Sequence, residues 1–291
     1  MSSILAVGIA TLDIINTVDN FPAEDAEVSA CSQQQVRGGN ATNTLTVLSQ
    51  LGHDSHWAGT LIDEPDSQII QSELAKYHIN TQACTRLSQG KMPTSYITLN
   101  KQSGSRTIVH HRDCPEFSFA AFKKINLQQF DWIHFEGRNI EETELMLRYL
   151  KQYHPDIPCS IEIEKPRDNI ETLFPYASVL FFSHHYAQAQ GFNSAEALLN
   201  SLPADIKASC TWGNEGAWAI DSTNTLIHAP IYPPENSIDT LGAGDTFNAA
   251  MIHQLSNNTT LTVSLDYASQ LAGHKCGQYG FANLTQQFKC D

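Results

Sequence analysis

Asp239-Thr240-Leu241-Gly242-Ala243-Gly244-Asp245-Thr246-Phe247-Asn248 runs from a small-residue turn straight into an apolar-periodic helix expected over residues 243–255. Three small residues in succession let the backbone approach a ligand closely, and the free amides at a helix start form an anion hole. Asp245 falls in the first turn, where a carboxylate is held ionised and can accept a proton from a substrate hydroxyl. An anion hole beside a base is a site for transferring a phosphoryl group. A capped, glycine-rich turn is the plainer reading of a bare Gly-x-Gly-Asp. The ten-residue context weighs against it.

N-terminal to that segment, short apolar strands alternate with helical stretches: residues 4–9, then 40–51, then 55–58, then 66–78, and later 132–135 followed by 141–152. This alternation predicts an α/β fold, a mainly parallel sheet flanked by helices. Residues 160–163, 179–182 and 209–211 read as further buried strands, and 262–275 as a second helix among the last sixty residues. No internal repeat or linker divides the chain, so one domain over 1–291 is expected. Residues 14–36, and 94–98 with 106–110, alternate apolar and polar residues around turn signals such as Ser103-Gly104. They suit antiparallel strands with one wet face, a small projecting lid formed by about 12–38 and 92–112. Its open edges call for cover, and a second copy of the chain is one way to provide it.

A second constellation, Arg37-Gly38-Gly39-Asn40-Ala41-Thr42-Asn43, opens the helix at 40–51. Adjacent glycines expose backbone, while Asn40 and Asn43, three apart on one turn, can present amides to neighbouring hydroxyls. Asp13, just past the first strand, adds a carboxylate at the strand end where α/β sheets bind ligands. Singly, each residue is a turn or a cap. Together they read as a sugar pocket.

Composition narrows the class. The chain has 291 residues, 17 Lys+Arg against 31 Asp+Glu, a net charge of −14 and 41% hydrophobic residues. That supplies core enough to fold without staples and excludes global disorder. Acidity without a basic cluster argues against binding nucleic acid. No apolar stretch is long enough to span a membrane and no basic-plus-apolar leader is seen, so a cytoplasmic location is expected. Seven scattered Cys without a Cys-x-x-Cys pair read as free thiols. Gly-x-x-x-x-Gly-Lys-Ser/Thr is absent, and Phe247 stands where a dinucleotide fingerprint needs its third glycine.

The 37–43 and 239–248 segments resemble the two signatures of the ribokinase/PfkB family of carbohydrate kinases. Further stretches, Ile133-His134-Phe135-Glu136-Gly137-Arg138-Asn139, Glu162-Ile163-Glu164-Lys165-Pro166-Arg167, Arg106-Thr107-Ile108-Val109 and Ala272-Gly273-His274-Lys275-Cys276-Gly277, are similar to its ketohexokinase branch. The resemblance spans residues 4–284. It implies a ribokinase-like fold and ATP-dependent phosphorylation of fructose at its 1-hydroxyl, with Mg²⁺ and K⁺ as ions. Asp245 would be the base, and the amides of Gly242, Ala243, Gly244 and Asp245 the anion hole. Asp13, Gly39, Asn40 and Asn43 would hold the ketose, and Asp25 would enter the neighbouring subunit's sugar site in a clasped homodimer. Arg106 would reach the nucleotide phosphates, and Gly213, Asn214, Glu215, Gly216, Cys276 and Gly277 would line adenine and ribose.

Departures from the family pattern matter. The Asn-x-x-Glu motif that organises Mg²⁺ in many members is replaced by Ser183-His184-His185-Tyr186, and His184 stands where ketohexokinases carry Lys. Glu136 and Glu164 are candidates for water-mediated metal contact; a structural ion pair, such as Glu164 with Arg138, is the other reading. His110-His111 and His184-His185 are read as non-metal pairs, because neighbours on a strand face opposite ways. Trp212 reads as core or pocket wall. Two rivals stay open: a kinase of another ketose or hydroxyl, and a catalytically quiet sugar-binding protein on the same fold.

Overall fold

The computed structural model describes residues 1–288, so residues 289–291, including Cys290, lie outside it. In chain order the first half comprises β1 (Ser3–Val7), β2 (Thr11–Val18), β3 (Ser32–Gly38), α1 (Asn40–Gln50), β4 (Asp54–Ala58), β5 (Thr60–Ile62), α2 (Pro65–Lys76), β6 (Thr85–Leu87), β7 (Lys91–Asn100), β8 (Arg106–Asp113), α3 (Phe119–Phe122), β9 (Trp132–Glu136) and α4 (Ile140–Tyr153). The second half comprises β10 (Cys159–Ile163), β11 (Val179–Ser183), α5 (His184–Ala189), α6 (Ala195–Asn200), β12 (Ala208–Thr211), β13 (Ala217–Ile220), β14 (Leu226–Ala229), α7 (Ala243–Ser256), α8 (Leu261–Cys276) and α9 (Leu284–Gln287).

Eight strands form the main sheet in the order β14-β13-β12-β11-β10-β9-β1-β4. The six from β12 to β4 run parallel, and β13 and β14 add an antiparallel edge. The two-residue period sorts each strand between two cores. Along β11, Val179 and Phe181 pack with Leu45, Met251 and Leu271 on one face. Leu180 and Phe182 pack with Met146, Leu150 and Leu199 on the other. Both faces are covered, so these strands read as unbroken apolar runs rather than alternating ones. Burying one such side chain contributes roughly 1.5–3 kcal/mol, which makes the two cores the main source of stability.

A separate four-stranded sheet, in the order β3-β2-β7-β8, carries the segments that the sequence assigns to antiparallel strands. Its outer pairs, β2 with β3 and β7 with β8, are antiparallel. Its central pair, β2 with β7, is parallel, with Ile14 opposite Tyr96, and corrects the all-antiparallel expectation. The reason is distance: β3, α1, β4, β5, α2 and β6 intervene between the two strands, and no hairpin joins them. A third, two-stranded sheet pairs β5 with β6. The C-terminal region holds the short α9 besides the two helices expected there.

Because β1 and β9–β12 run parallel, their C-terminal ends share one edge. That edge gathers the β1–β2 connection, Glu136 at the end of β9, Glu162 near the end of β10, and Ser183 at the end of β11. The N-termini of α1 and α7 bring Asn43 and Asp245 to the same place, the switch-point position at which open α/β sheets bind ligands.

Candidate active site

Gly242 caps α7 in the left-handed region, with φ 78°. A Cβ there would lie 2.3 Å from the Phe281 ring, so only glycine fits. Two residues on, a Cβ on Gly244 would meet nothing within 4 Å, which leaves open space at the helix start. The first intrahelical bond is donated by Thr246 N to Gly242 O, at 2.9 Å. The amides of Gly244 and Asp245 therefore precede the ladder and remain available to an anion.

The turn is anchored from below by Asp239. Its Oδ1 accepts from Leu241 N at 2.9 Å and its Oδ2 from Gly280 N at 3.1 Å. Lys275, with no exposed surface, donates to Asp239 Oδ2 at 2.8 Å and to the Asp239 carbonyl at 2.9 Å. Its third contact is Gln278 O, at 3.4 Å. Ile238 N and Asp239 N both donate to Cys276 O, which joins the Cys276-Gly277 segment to the glycine turn.

At the start of α1, Gly39 has φ 104° and its Cβ would sit 2.2 Å from Ile9 O. Arg37 is buried beneath this turn, donating to Thr42 Oγ1, Asn43 Oδ1 and Thr46 Oγ1 at 2.6, 2.9 and 2.8 Å. With Oδ1 occupied, Asn43 turns its Nδ2 to Asp245 Oδ2 at 2.8 Å. Asp13 is buried and accepts from Thr11 Oγ1 at 2.8 Å. Asn40 donates to Glu164 Oε2 at 3.1 Å. The structure therefore brings Asp13, Gly39, Asn40, Asn43 and Asp245 together.

The carboxylates of Asp245, Glu136, Glu162 and Glu164 converge here, and burial and like charge shift the first three. Burial pushes Asp245 up to about 7, with Glu164 and Glu136 adding to the rise while the Asn43 hydrogen bond and Arg37 oppose it. Burial likewise lifts Glu136 to about 7 against Arg138 and the Ile9 amide. Glu162 is pushed well above the carboxylate range by burial, then by Asp245, Glu164 and Glu136, with the nearby Asn40 amide pulling the other way. Burial lowers Arg37 to about 10, so it stays charged at neutral pH.

Several sequence candidates are placed apart. Asp25 lies in the exposed loop between β2 and β3, with φ 64°. Arg106 is exposed at the start of β8. Gly213, Asn214 and Glu215 form a short 3₁₀ turn between β12 and β13, with Gly216 at φ 92° and its Cβ position 2.2 Å from Ala229 O. Arg138 pairs with Glu116 and Glu136, whereas Glu164 pairs with Lys165, so the Glu164–Arg138 pair is not formed. His184 and His185 open helix α5 rather than lying on a strand, and their rings are 3.9 Å apart, not on opposite faces. The cause is Ser183, which caps that helix by accepting from Tyr186 N. Trp212 is half-buried, 6.3 Å from His184 between ring centroids.

Sequence reasoning overlooked three residues. Glu162 and its partner Asn248 stood inside quoted motifs without a role, and a carboxylate at 162 between Ile161 and Ile163 on a fully buried strand was the available signal. Lys275 gave none, since a lysine in the last turn of a helix is ordinarily a solvated cap.

A match to the pfkB family carbohydrate kinase family covers residues 1–287. The chain belongs to the pfkB family of carbohydrate kinases. This pfkB kinase is 39% identical to the ketohexokinase of Mus musculus, over 97% of the chain and 98% of that protein. Its fold is similar to that of the ribokinase of Giardia lamblia, with a TM-score of 0.85 and 16% identity over 98% and 97% of the two chains. It is also similar to the Arabidopsis thaliana ribokinase complexed with ribose and ATP, with a TM-score of 0.81 and 17% identity over 96% and 94%. The ribokinase-like α/β fold and sugar-kinase class expected from the two signatures therefore hold. Among the described residues of this pfkB kinase, no helix is long and apolar enough to cross a membrane.

Proposed function

We propose that this pfkB kinase is a cytoplasmic ketohexokinase-like enzyme that transfers the γ-phosphoryl group of ATP to the 1-hydroxyl of D-fructose, with Asp245 as general base. The observation that carries this reading is the Asn43–Asp245 hydrogen bond, which locks the polyol-type amides of α1 onto the base of α7. The 39% identity to a ketohexokinase supports the choice of sugar.

Phosphoryl transfer needs positioning and charge neutralisation more than covalent help. Asp13, Asn40, Asn43 and the Gly39 backbone would hold the sugar hydroxyls. Asp245, buried and with Oδ2 held by Asn43, takes the proton from the attacking hydroxyl at a pKa near working pH. The Gly244 and Asp245 amides would bear the charge developing on the transferred group, whereas Ala243 N already donates to Thr240 O at 3.3 Å. Arg106, swung in with the small sheet, and the 213–216 and 276–277 segments would meet the nucleotide.

The buried acidic side chains at the ends of β9 and β10 offer hard oxygen donors, which fit Mg²⁺ carried on ATP. Bound there, the ion would neutralise charge on the phosphates. K⁺ finds no such fit beside the glycine turn. The oxygens of Asp239 and Gln278 already surround the Lys275 ammonium, so no step depends on that ion. Tyr96, Ile108 and Val109 leave apolar surface on the small sheet, 47%, 48% and 65% exposed, which supports a homodimer built through it. In that dimer Asp25 would reach the partner's sugar site.

The test is turnover with Mg-ATP across fructose, tagatose, ribose and glucose, following ADP and mapping the phosphorylated carbon by NMR. Phosphate on C1 of fructose, lost in Asp245→Asn, is the expected result. Turnover of another sugar alone would overturn the substrate, and sugar binding without any turnover would overturn the catalytic reading.

A further inference from the structure

The carboxylates around Asp245 differ in what their oxygens already hold. Glu136 Oε2 accepts the Ile9 amide at 2.5 Å, and its Oε1 lies 3.7 Å from Arg138. Glu164 Oε2 accepts from Asn40 and Oε1 lies 3.3 Å from Lys165, with the side chain 41% exposed. Glu162 is different. Asn248 Nδ2 donates to its Oε1 at 3.1 Å, while Oε2 is buried and accepts no hydrogen bond. The residue is 7% exposed and has no cationic side chain paired with it among the described residues.

A buried acceptor left without a donor is costly, and more so when it can be charged. The nearby charges make the cost larger, since Asp245 is the strongest of those acting on Glu162 and carries the same sign. The amides of Asn40 and Asn248 relieve this only in part and neither is positive, so the partner that would balance an ionised Glu162 comes from outside the chain and is positive. Among the described residues no cluster of three His, Cys, Asp or Glu forms a complete protein cage. Mg²⁺ does not need one, because it is ordinarily bound by one or two carboxylates together with substrate phosphates and water.

We infer that Glu162 is the residue through which this chain grips the divalent cation of the nucleotide, directly or across one water molecule, with Asn248 aiming it. This rests on the sugar-kinase reading proposed above. It places the ion's protein contact on the carboxylate with an unpartnered buried oxygen rather than on Glu136 or Glu164, whose oxygens are engaged elsewhere. The geometry also has an economy of parts: Asn248 lies one helical turn after Asp245 on α7, so a single helix aims both the base and the metal carboxylate.

The probe is Mn²⁺ in the presence of ADP, titrated by electron paramagnetic resonance without sugar or turnover. Glu162→Gln keeps the shape and the Asn248 contact, and is expected to weaken Mn²⁺ binding to the ADP complex by about 10–100-fold. Unchanged binding in folded Glu162→Gln, or an equal loss confined to Glu136→Gln or Glu164→Gln, overturns the inference. Should Glu162→Gln fail to fold, anomalous scattering from the native Mn²⁺·ADP complex decides the matter. Manganese within one water's reach of the Glu162 carboxyl supports it, and manganese beside Glu136 or Glu164 alone overturns it. A native chain that phosphorylates no sugar but still binds Mn²⁺·ADP through Glu162 sinks the kinase reading and leaves this contact standing; a chain that binds no Mn²⁺·ADP sinks both.

Discussion

Asn43 Nδ2 donates to Asp245 Oδ2 at 2.8 Å across 202 residues of sequence. The amide cannot flip, because its Oδ1 is held by the Arg37 guanidinium. Arg37, Asn43 and Asp245 thus form a directed chain from a buried cation to the carboxylate proposed as base. The hydrogen bond favours the ionised carboxylate and opposes the rise that burial imposes.

Cutting that chain has a predictable pH signature. A hydrogen bond to a charged group contributes roughly 1.5–3 kcal/mol, and 1.36 kcal/mol corresponds to one pH unit. In Asn43→Ala the acid limb of the kcat profile is expected to move up by about one pH unit or more, besides any loss of sugar affinity. A limb that stays in place while KM alone rises would show that Asn43 acts on the sugar and not on the base.

Asp245→Asn separates catalysis from stability. Losing a general base costs on the order of 10²–10⁴ in rate. An aspartate in the unfolded chain ionises near 3.9, while burial holds Asp245 near 7 in the fold. Between those values the unfolded chain sheds a proton that the fold retains, so ionisation works against folding as pH rises and does so fully above 7. The inactive variant is therefore expected to be more stable than the native chain at pH 8, by about 2–4 kcal/mol, with the gap closing toward pH 4. Urea unfolding at both pH values checks this, and a destabilised variant at pH 8 contradicts it.

How much was readable beforehand follows from the range of the interactions. The glycine turn, the first turn of α1 and the alternation of strand and helix are local patterns, and each appears where the sequence places it. The central β2–β7 pairing is not local: six elements separate the strands, and no residue in either names its partner or its direction. Glu162 and Lys275 fail for a related reason. A carboxylate or an ammonium is read as solvated until the fold shows it enclosed, and the enclosing groups, Asn248 and Asp239, lie 86 and 36 residues away. His184 misleads through a cap: one serine hydroxyl turns a strand end into a helix start.

Lys275, with no exposed surface, pairs with the 22% exposed carboxylate of Asp239 beneath the glycine turn. Removing one member of a buried pair costs roughly 3–5 kcal/mol, and the partial exposure of Asp239 sets the cost here at the lower end, about 3 kcal/mol. Lys275→Met is expected to lose about that much in urea. The loss should be felt locally as well, through faster hydrogen exchange at Leu241 and Gly280, whose amides donate to the Asp239 carboxylate. Global destabilisation with native-like exchange at those two amides would mean that the lysine supports the fold without holding the turn.

His53 and His253 supply the opposite pH dependence. The Ser2 amide donates to His53 Nδ1 at 3.3 Å, so His53 carries its proton on Nε2 and shares it with His253 Nδ1 at 2.8 Å. Burial, then the neighbouring His253, lowers His53 to about 4. An unfolded histidine takes up a proton near 6.5, so between 6.5 and 4 the unfolded chain binds a proton that the fold refuses. Stability from this residue is complete above 6.5 and drains away as pH falls through that window, against the rise contributed by the buried carboxylates. His53→Gln keeps a donor toward His253 and removes the titration. Relative to its own value at pH 7.5, the native chain should therefore lose about 2 kcal/mol more than His53→Gln on going to pH 5. Parallel curves for the two proteins across that interval would show that the imidazole pair is open to solvent and titrates as freely in the fold as in the unfolded chain.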